Sequence, residues 1–214
     1  MTSHALPKVA AQTGVPCIPG TNLPMLELVP VDAGSVTMIA EWIADDKARS
    51  WLDLGGGRQH VLPRELYVML TSPKTCARLF RAPGTTDPLG LVVLNDIGNE
   101  MGSAECWGMR GTYAGGPRNA ATAAFLLMLA TGFVDYGRDV IGSWVTDGNG
   151  LSLMMHHRLG LKETGRQRLR HRMNGVLHDR LLFDMTRDEF AARFADVPAA
   201  SGRRITDVHA QTAA

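Results

Sequence analysis

Short apolar runs alternate with longer stretches of helical spacing through the middle of the chain. Residues 25–31 alternate apolar and polar side chains, which predicts a half-buried strand, and residues 32–43 space their apolar side chains as a helix does, with Asp32 as its cap. Residues 89–96 and 104–109 predict two strands joined by a glycine-rich hairpin. The apolar segment 120–133 predicts a buried helix. This alternation of strands and helices is typical of an α+β domain.

Between these elements lie two segments with a less regular pattern. Residues 63–80 carry apolar side chains on both sides of Ser72-Pro73, which predicts two short helices. The three consecutive glycines at Gly55–Gly57 predict a mobile or tightly turned segment. They are a weak match to a phosphate-binding P-loop, because no Lys-Ser/Thr pair follows them.

The two ends of the chain differ from its middle. Residues 1–24 contain four prolines, which disfavour both helix and sheet, and predict an extended arm. Residues 198–214 are mostly Ala, Ser, Gly, Arg and other small or polar residues, and predict a disordered tail. Residues 25–197 are therefore expected to form one domain.

Residues 140–145 predict a buried strand that leads through a polar turn into a short helix. Asn149 suits the cap at the start of this helix, and Gly160 suits a left-handed residue at its end. Ser152 and His156 are four residues apart, so we expect them to lie on one helix face, where both can contact one ligand.

A second hairpin is predicted near the end of the domain. Asn174-Gly175 is a preferred two-residue turn, flanked by an alternating segment, 166–173, and an apolar one, 176–185. The alternation places Arg166, Arg168, Arg170 and Arg172 on one strand face. This face is either solvated or binds an anionic partner, such as an acidic acceptor, a carrier protein or a phosphate.

The turn 110–119 precedes the long apolar helix and is rich in glycine. Pro117 suits the first helical position with Gly116 as the cap, and glycines let ligand oxygens approach the amides at the positive end of the helix dipole. The turn is therefore a candidate pyrophosphate site; the alternative is a purely structural helix start.

The composition restricts the binding partners and the cellular compartment that we expect for this protein. A net charge of +1 over 214 residues gives no general attraction to nucleic acid or to membranes. Cys17, Cys76 and Cys106 are odd in number and lack metal-ligand spacing, which favours a reducing, cytoplasmic compartment and no metal site. The sequence contains no signal-peptide pattern and no apolar run long enough to span a bilayer.

The segment from Asn149 to Gly165 resembles the GCN5-related N-acetyltransferases, the GNAT superfamily. It is most similar to the branch of the ribosomal-protein alanine N-acetyltransferases, whose pattern of Asn, Ser, Gly-Phe and Gly is matched here by Asn149, Ser152, Gly160-Leu161 and Gly165, with Leu in place of Phe. Near the end of the domain, Gly175, Asp179 and Glu189-Phe190 are similar to the Gly, Asp and Glu-Trp of that branch.

The resemblance covers residues 25 to about 190 and implies a mixed, strongly twisted sheet of about seven strands with helices on both faces. It also implies that acetyl-CoA enters between two strands that splay apart, with its pyrophosphate at the glycine-rich turn. At the family's phosphate-loop positions this chain has Ala114, Pro117 and Asn119, so that motif is degenerate. The residues that the resemblance and the turn together assign to the cofactor are Met109, Arg110, Gly111, Gly115, Gly116, Arg118, Asn119, Ala120, Asn149 and Ser152.

The implied reaction is acetyl transfer from acetyl-CoA to a primary amine of a small molecule or a protein N-terminus, with backbone amides at Met109 to Gly111 polarising the thioester. Glu105 is the candidate general base, although a shift of one residue in register would turn it to the other sheet face. Ser152 matches the family position for the acid, and His156 stands where other members carry a tyrosine acid. His156 could instead be a packing residue.

Two other functions remain open. One is an acyltransferase of secondary metabolism that uses a longer acyl-CoA or a carrier-bound donor, and the other is a non-catalytic CoA-binding module. The acceptor could be a ribosomal protein, an amino sugar, an amino acid or an antibiotic, and the protein a monomer or a homodimer.

Overall fold

The computed structural model describes residues 15–53, 61–112 and 115–212, which form a twisted sheet with helices on both faces. Within these ranges the sheet has seven strands, in the order β1-β2-β3-β4-β5-β7-β6. In chain order the elements are β1 (Glu27–Pro30), α1 (Ser35–Ala44), α2 (Asp46–Arg49), α3 (Pro63–Leu70), β2 (Thr75–Arg81), β3 (Gly90–Asn95), β4 (Ser103–Arg110), α4 (Ala120–Val134), β5 (Val140–Thr146), α5 (Gly150–Leu159), β6 (Lys162–Met173), β7 (Val176–Thr186), α6 (Arg187–Phe194) and α7 (Ile205–Thr212). The predicted α+β class is confirmed.

Strands β4 and β5 form the only parallel pair among the described strands, and they pair over a short distance. Ser103, Ala104 and Glu105 lie opposite Val140, Ile141 and Gly142, and the pairing ends there. Beyond Gly142 the two strands continue without pairing to each other, β4 to Arg110 and β5 to Thr146. The sheet is therefore split in its middle.

The core has two parts, one on each face of the sheet. Helix α4 packs on one face and is buried on almost every side, as its continuous apolar sequence predicts. Helices α1 and α3 cover the other face of strands β2 to β4 through residues such as Ile39 and Leu66. In the part of the chain that the structure describes, no helix combines the length and apolar character needed to cross a bilayer.

Two predictions about individual elements are wrong. Residues 63–80 form one helix, α3, followed by strand β2. Strand β2 lies between β1 and β3 and is buried on both faces. Its sequence therefore lacks the apolar–polar alternation from which a strand is predicted. Helix α4 begins at Ala120 rather than at Pro117, because Asn119 takes a left-handed conformation (φ 63°) that interrupts the helical path. Residues Leu54 to Gly57 and Ala114 lie outside the described residues.

The prediction of a disordered C-terminal tail is wrong for residues 198–212. Ile205 begins helix α7 with 2% of its surface exposed, and the Ala200 amide donates to the Thr131 hydroxyl of α4 at 2.9 Å. At the other end of the chain, Ile18 and Leu23 of the predicted arm are buried in the core, and Cys17 forms a β-bridge with Pro24.

The β6–β7 hairpin has the predicted turn, with positive φ at both Asn174 and Gly175. The predicted regular face of four arginines is interrupted by a β-bulge between Gln167 and His171, so Arg168 and Arg170 lie in the bulge, while Arg166 and Arg172 lie opposite Leu181 and Leu177 of β7. At this bulge Asp179 accepts the Leu169 amide at 2.8 Å and pairs with Arg166 at 2.9 Å.

Candidate active site

The gap between β4 and β5 exposes backbone groups on both of its edges. The Gly111 amide donates to the Leu89 carbonyl at 2.9 Å, which shows that the odd-numbered residues of β4 direct their backbone groups toward β3. The backbone groups of the even-numbered Gly108 and Arg110 therefore face the gap. On the other edge, the Asp147 amide donates to Asp179 at 2.9 Å, so Trp144 and Thr146 face the gap. An extended ligand can pair with these edges as a strand would.

A cavity of about 790 Å³ surrounds the gap and is walled by α2, β4, α4, β5 and α5. Seven of the predicted site residues line it: Glu105, Met109, Arg110, Asn119, Asn149, Ser152 and His156. Five others, Gly111, Gly115, Gly116, Arg118 and Ala120, do not. The cavity walls that the sequence did not predict include Trp107, Ser143, Trp144 and Thr146.

Glu105 projects into the cavity on the side of α2, on the same β4 face as Trp107. Burial raises the pKa of its carboxyl above the ordinary value, while a hydrogen bond with the Trp144 indole opposes that rise. Among nearby charges, the carboxylates of Asp96 and Asp53 raise the pKa further and Arg180 lowers it. Glu105 is thus a carboxylate that holds a proton more readily than an exposed one does.

Trp144 is held firmly beside Glu105. The Arg180 guanidinium lies 4.0 Å from the Trp144 ring centroid and forms an ion pair with Asp53. The His171 ring lies 5.7 Å from Trp144, and its Nε2 donates to the Ser50 carbonyl at 2.7 Å. These contacts join the β6–β7 hairpin to the segment after α2 and give the cavity a rigid aromatic wall.

On the opposite side of the gap, His156 lies with 2% of its surface exposed between the rings of Phe125 and Phe183. Its Nδ1 is 2.8 Å from the Ser152 carbonyl, and its Nε2 is 2.8 Å from the Ser143 hydroxyl. Burial lowers the pKa of His156 below the ordinary value, against the opposing effect of the Ser152 hydrogen bond. The imidazole is therefore neutral at neutral pH.

Helix α5, which carries His156, is set by two local signals that the sequence predicted. The Asn149 side chain accepts the Ser152 amide at 3.2 Å, and Gly160 takes the left-handed conformation at the helix end (φ 81°). The contact between Ser152 and His156 uses the serine backbone rather than its hydroxyl. Ser143 was missed, although a hydroxyl within an apolar strand is a sign that it needs a partner.

The glycine-rich turn lies at the start of α4. Arg110 donates to the Gly115 carbonyl at 2.6 Å, which closes the turn, and Gly116 has a positive φ of 99°. The first-turn amides of α4, at Ala121 and Thr122, have no intrahelical partners and point out of the helix end. Ala121, Thr122 and Asn119 all line the cavity, so a ligand that enters the gap can reach this end of the helix.

The residues at the gap suit coenzyme A, the cofactor that the resemblance implies. The two unpaired strand edges suit the amides of a pantetheine arm, and the α4 N-terminus suits a pyrophosphate. A further sign is the buried Thr146 hydroxyl at the gap, which has no hydrogen-bond partner among the described residues.

No family model and no curated protein matches the chain. Solved structures do. Spermidine N-acetyltransferase from Vibrio cholerae, in complex with CoA and spermine, has a TM-score of 0.69 at 16% identity, over 77% of this chain and 97% of that one. RimJ from Mycobacterium smegmatis, in complex with CoA-disulfide, has a TM-score of 0.63 at 16% identity, over 84% and 92%.

A probable GNAT-family acetyltransferase from Chromobacterium violaceum has a TM-score of 0.64 at 19% identity, over 88% of this chain and 99% of that one. The coverage shows that the shared fold extends over nearly the whole of each of these enzymes. At such identities the likeness shows the fold, and the predicted fold is confirmed.

Proposed function

Because the chain has the fold of the GNAT acetyltransferases, we propose that it transfers an acetyl group from acetyl-CoA to a primary amine. The observation that carries this proposal is the split between β4 and β5, which has a half-buried carboxylate, Glu105, at the point where the strands part. A split sheet leaves backbone groups without strand partners, and a ligand that supplies partners offsets that cost.

The donor half of the site is formed by backbone groups. Bound acetyl-CoA supplies a thioester whose carbonyl carbon is open to attack. The Gly108 amide faces the gap and is placed to donate to the carbonyl oxygen as negative charge develops on it. Met109 and Gly111 cannot share this predicted role, because the odd-numbered residues of β4 bond to β3, with the Gly111 amide on Leu89.

Pyrophosphate binding is assigned to the start of α4, where the first-turn amides and the helix dipole favour an anion. Gly115, Gly116, Arg118, Asn119 and Ala120 belong to this subsite in the proposal. Ser152 and Asn149 lie at the N-terminus of α5, on the opposite side of the gap, where they contact the pantetheine end.

The acceptor amine enters on the Glu105 side, between Trp107 and Trp144. Amines are protonated in neutral water, and attack needs the free lone pair, so a base must remove a proton. Glu105 serves as that base, directly or through one water, because its raised pKa makes it a stronger base than an exposed carboxylate.

The proposal includes a cytoplasmic location and an amine acceptor that is a small molecule or a peptide N-terminus. Cys17, Cys76 and Cys106 are free thiols, which supports a reducing compartment.

The test is an acceptor screen with the full chain and acetyl-CoA, in which released CoA thiol and acetylated amine are both measured. Spermidine, an alanine-initiated peptide, an amino sugar and a free amino acid represent the acceptor classes. We expect acetylated amine to appear with at least one class, together with release of CoA thiol above the rate measured without amine. A folded protein that releases no CoA with any of these amines, or with longer acyl donors, contradicts the proposal and favours a non-catalytic module.

A further inference from the structure

Ser143 lies at the first position of β5 beyond its last pairing with β4, at the point where the gap opens. Ser143 has 7% of its surface exposed and lines the cavity. The Ser143 hydroxyl therefore borders the space that a ligand in the gap would occupy.

The hydrogen bonds of His156 fix the direction of the Ser143 proton. A carbonyl oxygen only accepts, so the Nδ1 atom that contacts the Ser152 carbonyl must carry the hydrogen. In a neutral imidazole Nε2 is then an acceptor, and the Ser143 hydroxyl donates to it. Ser143, His156 and the Ser152 carbonyl thus form a chain of hydroxyl, base and orienting group, which is the arrangement that activates a nucleophile.

The surroundings keep this chain in place. Phe125 of α4 and Phe183 of β7 hold the imidazole between their rings, at centroid distances of 5.3 and 5.0 Å. His157, the adjacent residue on α5, is the charged or titratable neighbour that acts on His156. The other contacts of the imidazole are uncharged: Ser143 of β5, Phe183 of β7 and Phe125 of α4.

We propose that Ser143 is an activated nucleophile that takes the acyl group from a thioester or an activated ester, so that the protein hydrolyses acyl donors when no amine is bound. In the first step Ser143 Oγ bonds to the carbonyl carbon, the bond to the leaving group breaks, and the Ser143 proton passes through His156 Nε2 to the leaving sulfur or oxygen. In the second step water gives a proton to His156 and attacks the acyl carbon. The carboxylic acid leaves, and Ser143 recovers its proton.

This inference depends on the proposed function only for the identity of the natural donor. p-Nitrophenyl acetate, which contains no CoA, tests the Ser143 chemistry on its own. The full chain is incubated with this ester, and separately with acetyl-CoA, in the absence of amine, and the hydrolysis rate is measured. Part of each sample is quenched in acid for intact-mass and peptide mass spectrometry.

We expect hydrolysis above the buffer rate, with the mass gain of one acetyl group located on Ser143 wherever the acyl-enzyme accumulates. Ser143→Ala should lower the hydrolysis rate roughly 10²-fold or more. Ser103→Ala, which changes a serine on the neighbouring strand β4, should match the parent. Hydrolysis at the buffer rate in the parent, or equal rates in the parent and Ser143→Ala, overturns the proposal.

His156 acts through Ser143, so its test needs a second readout. In the parent, the rate should rise with pH as His156 loses its proton, and this step should disappear in His156→Asn, whose amide can still donate to the Ser152 carbonyl. The same pH step in both proteins overturns the role of His156. If Ser143→Ala does not fold, Ser143→Cys keeps a group that can be acylated, and an acetyl group on any other residue overturns the assignment.

The two proposals fail separately. Ester hydrolysis that depends on Ser143, without any CoA release to amines, contradicts the proposed acetyltransferase and leaves this inference standing. If acetyl transfer to an amine is unchanged in Ser143→Ala and the parent hydrolyses no ester, the proposed acetyltransferase stands and the inference about Ser143 is contradicted.

Discussion

Glu105 is the residue whose ionisation should control turnover. Its folded-state pKa is raised, chiefly by burial, so the base form appears at a higher pH than for an exposed carboxyl. The rate at low substrate should therefore fall as the pH drops through this raised pKa. Glu105→Gln, which cannot take a proton, should lower kcat by about 10² to 10⁴-fold and leave CoA affinity unchanged. Steady-state kinetics over pH 5 to 9 and calorimetry with CoA measure the two quantities.

Asp96 provides the matched control for Glu105. The Asp96 carboxylate raises the pKa of Glu105, and its backbone has a positive φ of 60°, which asparagine also tolerates. Asp96→Asn should keep the parent turnover and move the acidic limb of the pH profile to lower pH. Parent-like turnover in Glu105→Gln would remove Glu105 from the mechanism.

Gly115 is the residue that tests the pyrophosphate subsite. A Cβ atom added at Gly115 meets nothing within 4 Å, whereas one at Gly116 would come within 2.8 Å of the Leu89 side chain at a backbone with positive φ. Gly115→Val should therefore weaken CoA binding in calorimetry by crowding the approach to α4, without changing the melting temperature. Gly116→Val, in contrast, should lower the melting temperature as well. Unchanged CoA affinity in Gly115→Val would place the pyrophosphate elsewhere.

At the scale of elements, α5 connects the helix cap to the chemistry. The Asn149 side chain holds the first turn of α5, and the Ser152 carbonyl in that turn orients His156. Asn149→Ala should lower the free energy of unfolding by about 1 kcal/mol, which is roughly 2 to 4 °C in Tm for a chain of this size. Asn149→Asp keeps an accepting oxygen and should retain most of the stability. Thermal melts that show no difference between Asn149→Ala and Asn149→Asp would contradict a capping role.

The sequence predicted those elements whose signals are local. Asn149 and Gly160 bound α5, and Asn174-Gly175 turns the last hairpin, because a cap or a tight turn depends on the residues within it. Strand β2 was missed because its burial comes from β1 and β3, which are distant in sequence. The contact between Ser143 and His156 was missed for the same reason, since it joins β5 to α5 across a turn whose path no spacing rule gives.

At the scale of the whole molecule, the C-terminal segment completes the core around α4. Val197, Ala199 and Ile205 are buried in the same cluster as α4, and Asp135 at the end of that helix pairs with Arg203 at 3.3 Å. The composition of this segment did not predict the docking, because a few apolar side chains are enough to hold a segment in place when they pack on an existing apolar surface. These contacts lie at the C-terminal end of α4, whereas Asn119 and Thr122 of the site lie at its N-terminal end.

Removal of residues 198–214 should therefore lower stability without changing the site. Full burial of one isoleucine side chain contributes about 1.5 to 3 kcal/mol, and the truncation also exposes the surface of α4 that α7 contacts. We expect a fall of roughly 5 to 10 °C in Tm, with CoA affinity retained well below the new transition. Ile205→Ala should reproduce much of this loss, about 2 kcal/mol. Arg204→Ala, which removes a half-exposed side chain 4.0 Å from Asp196, should change Tm little. Equal melting temperatures for the truncated and parent proteins would mean that α7 is not docked on α4 in solution.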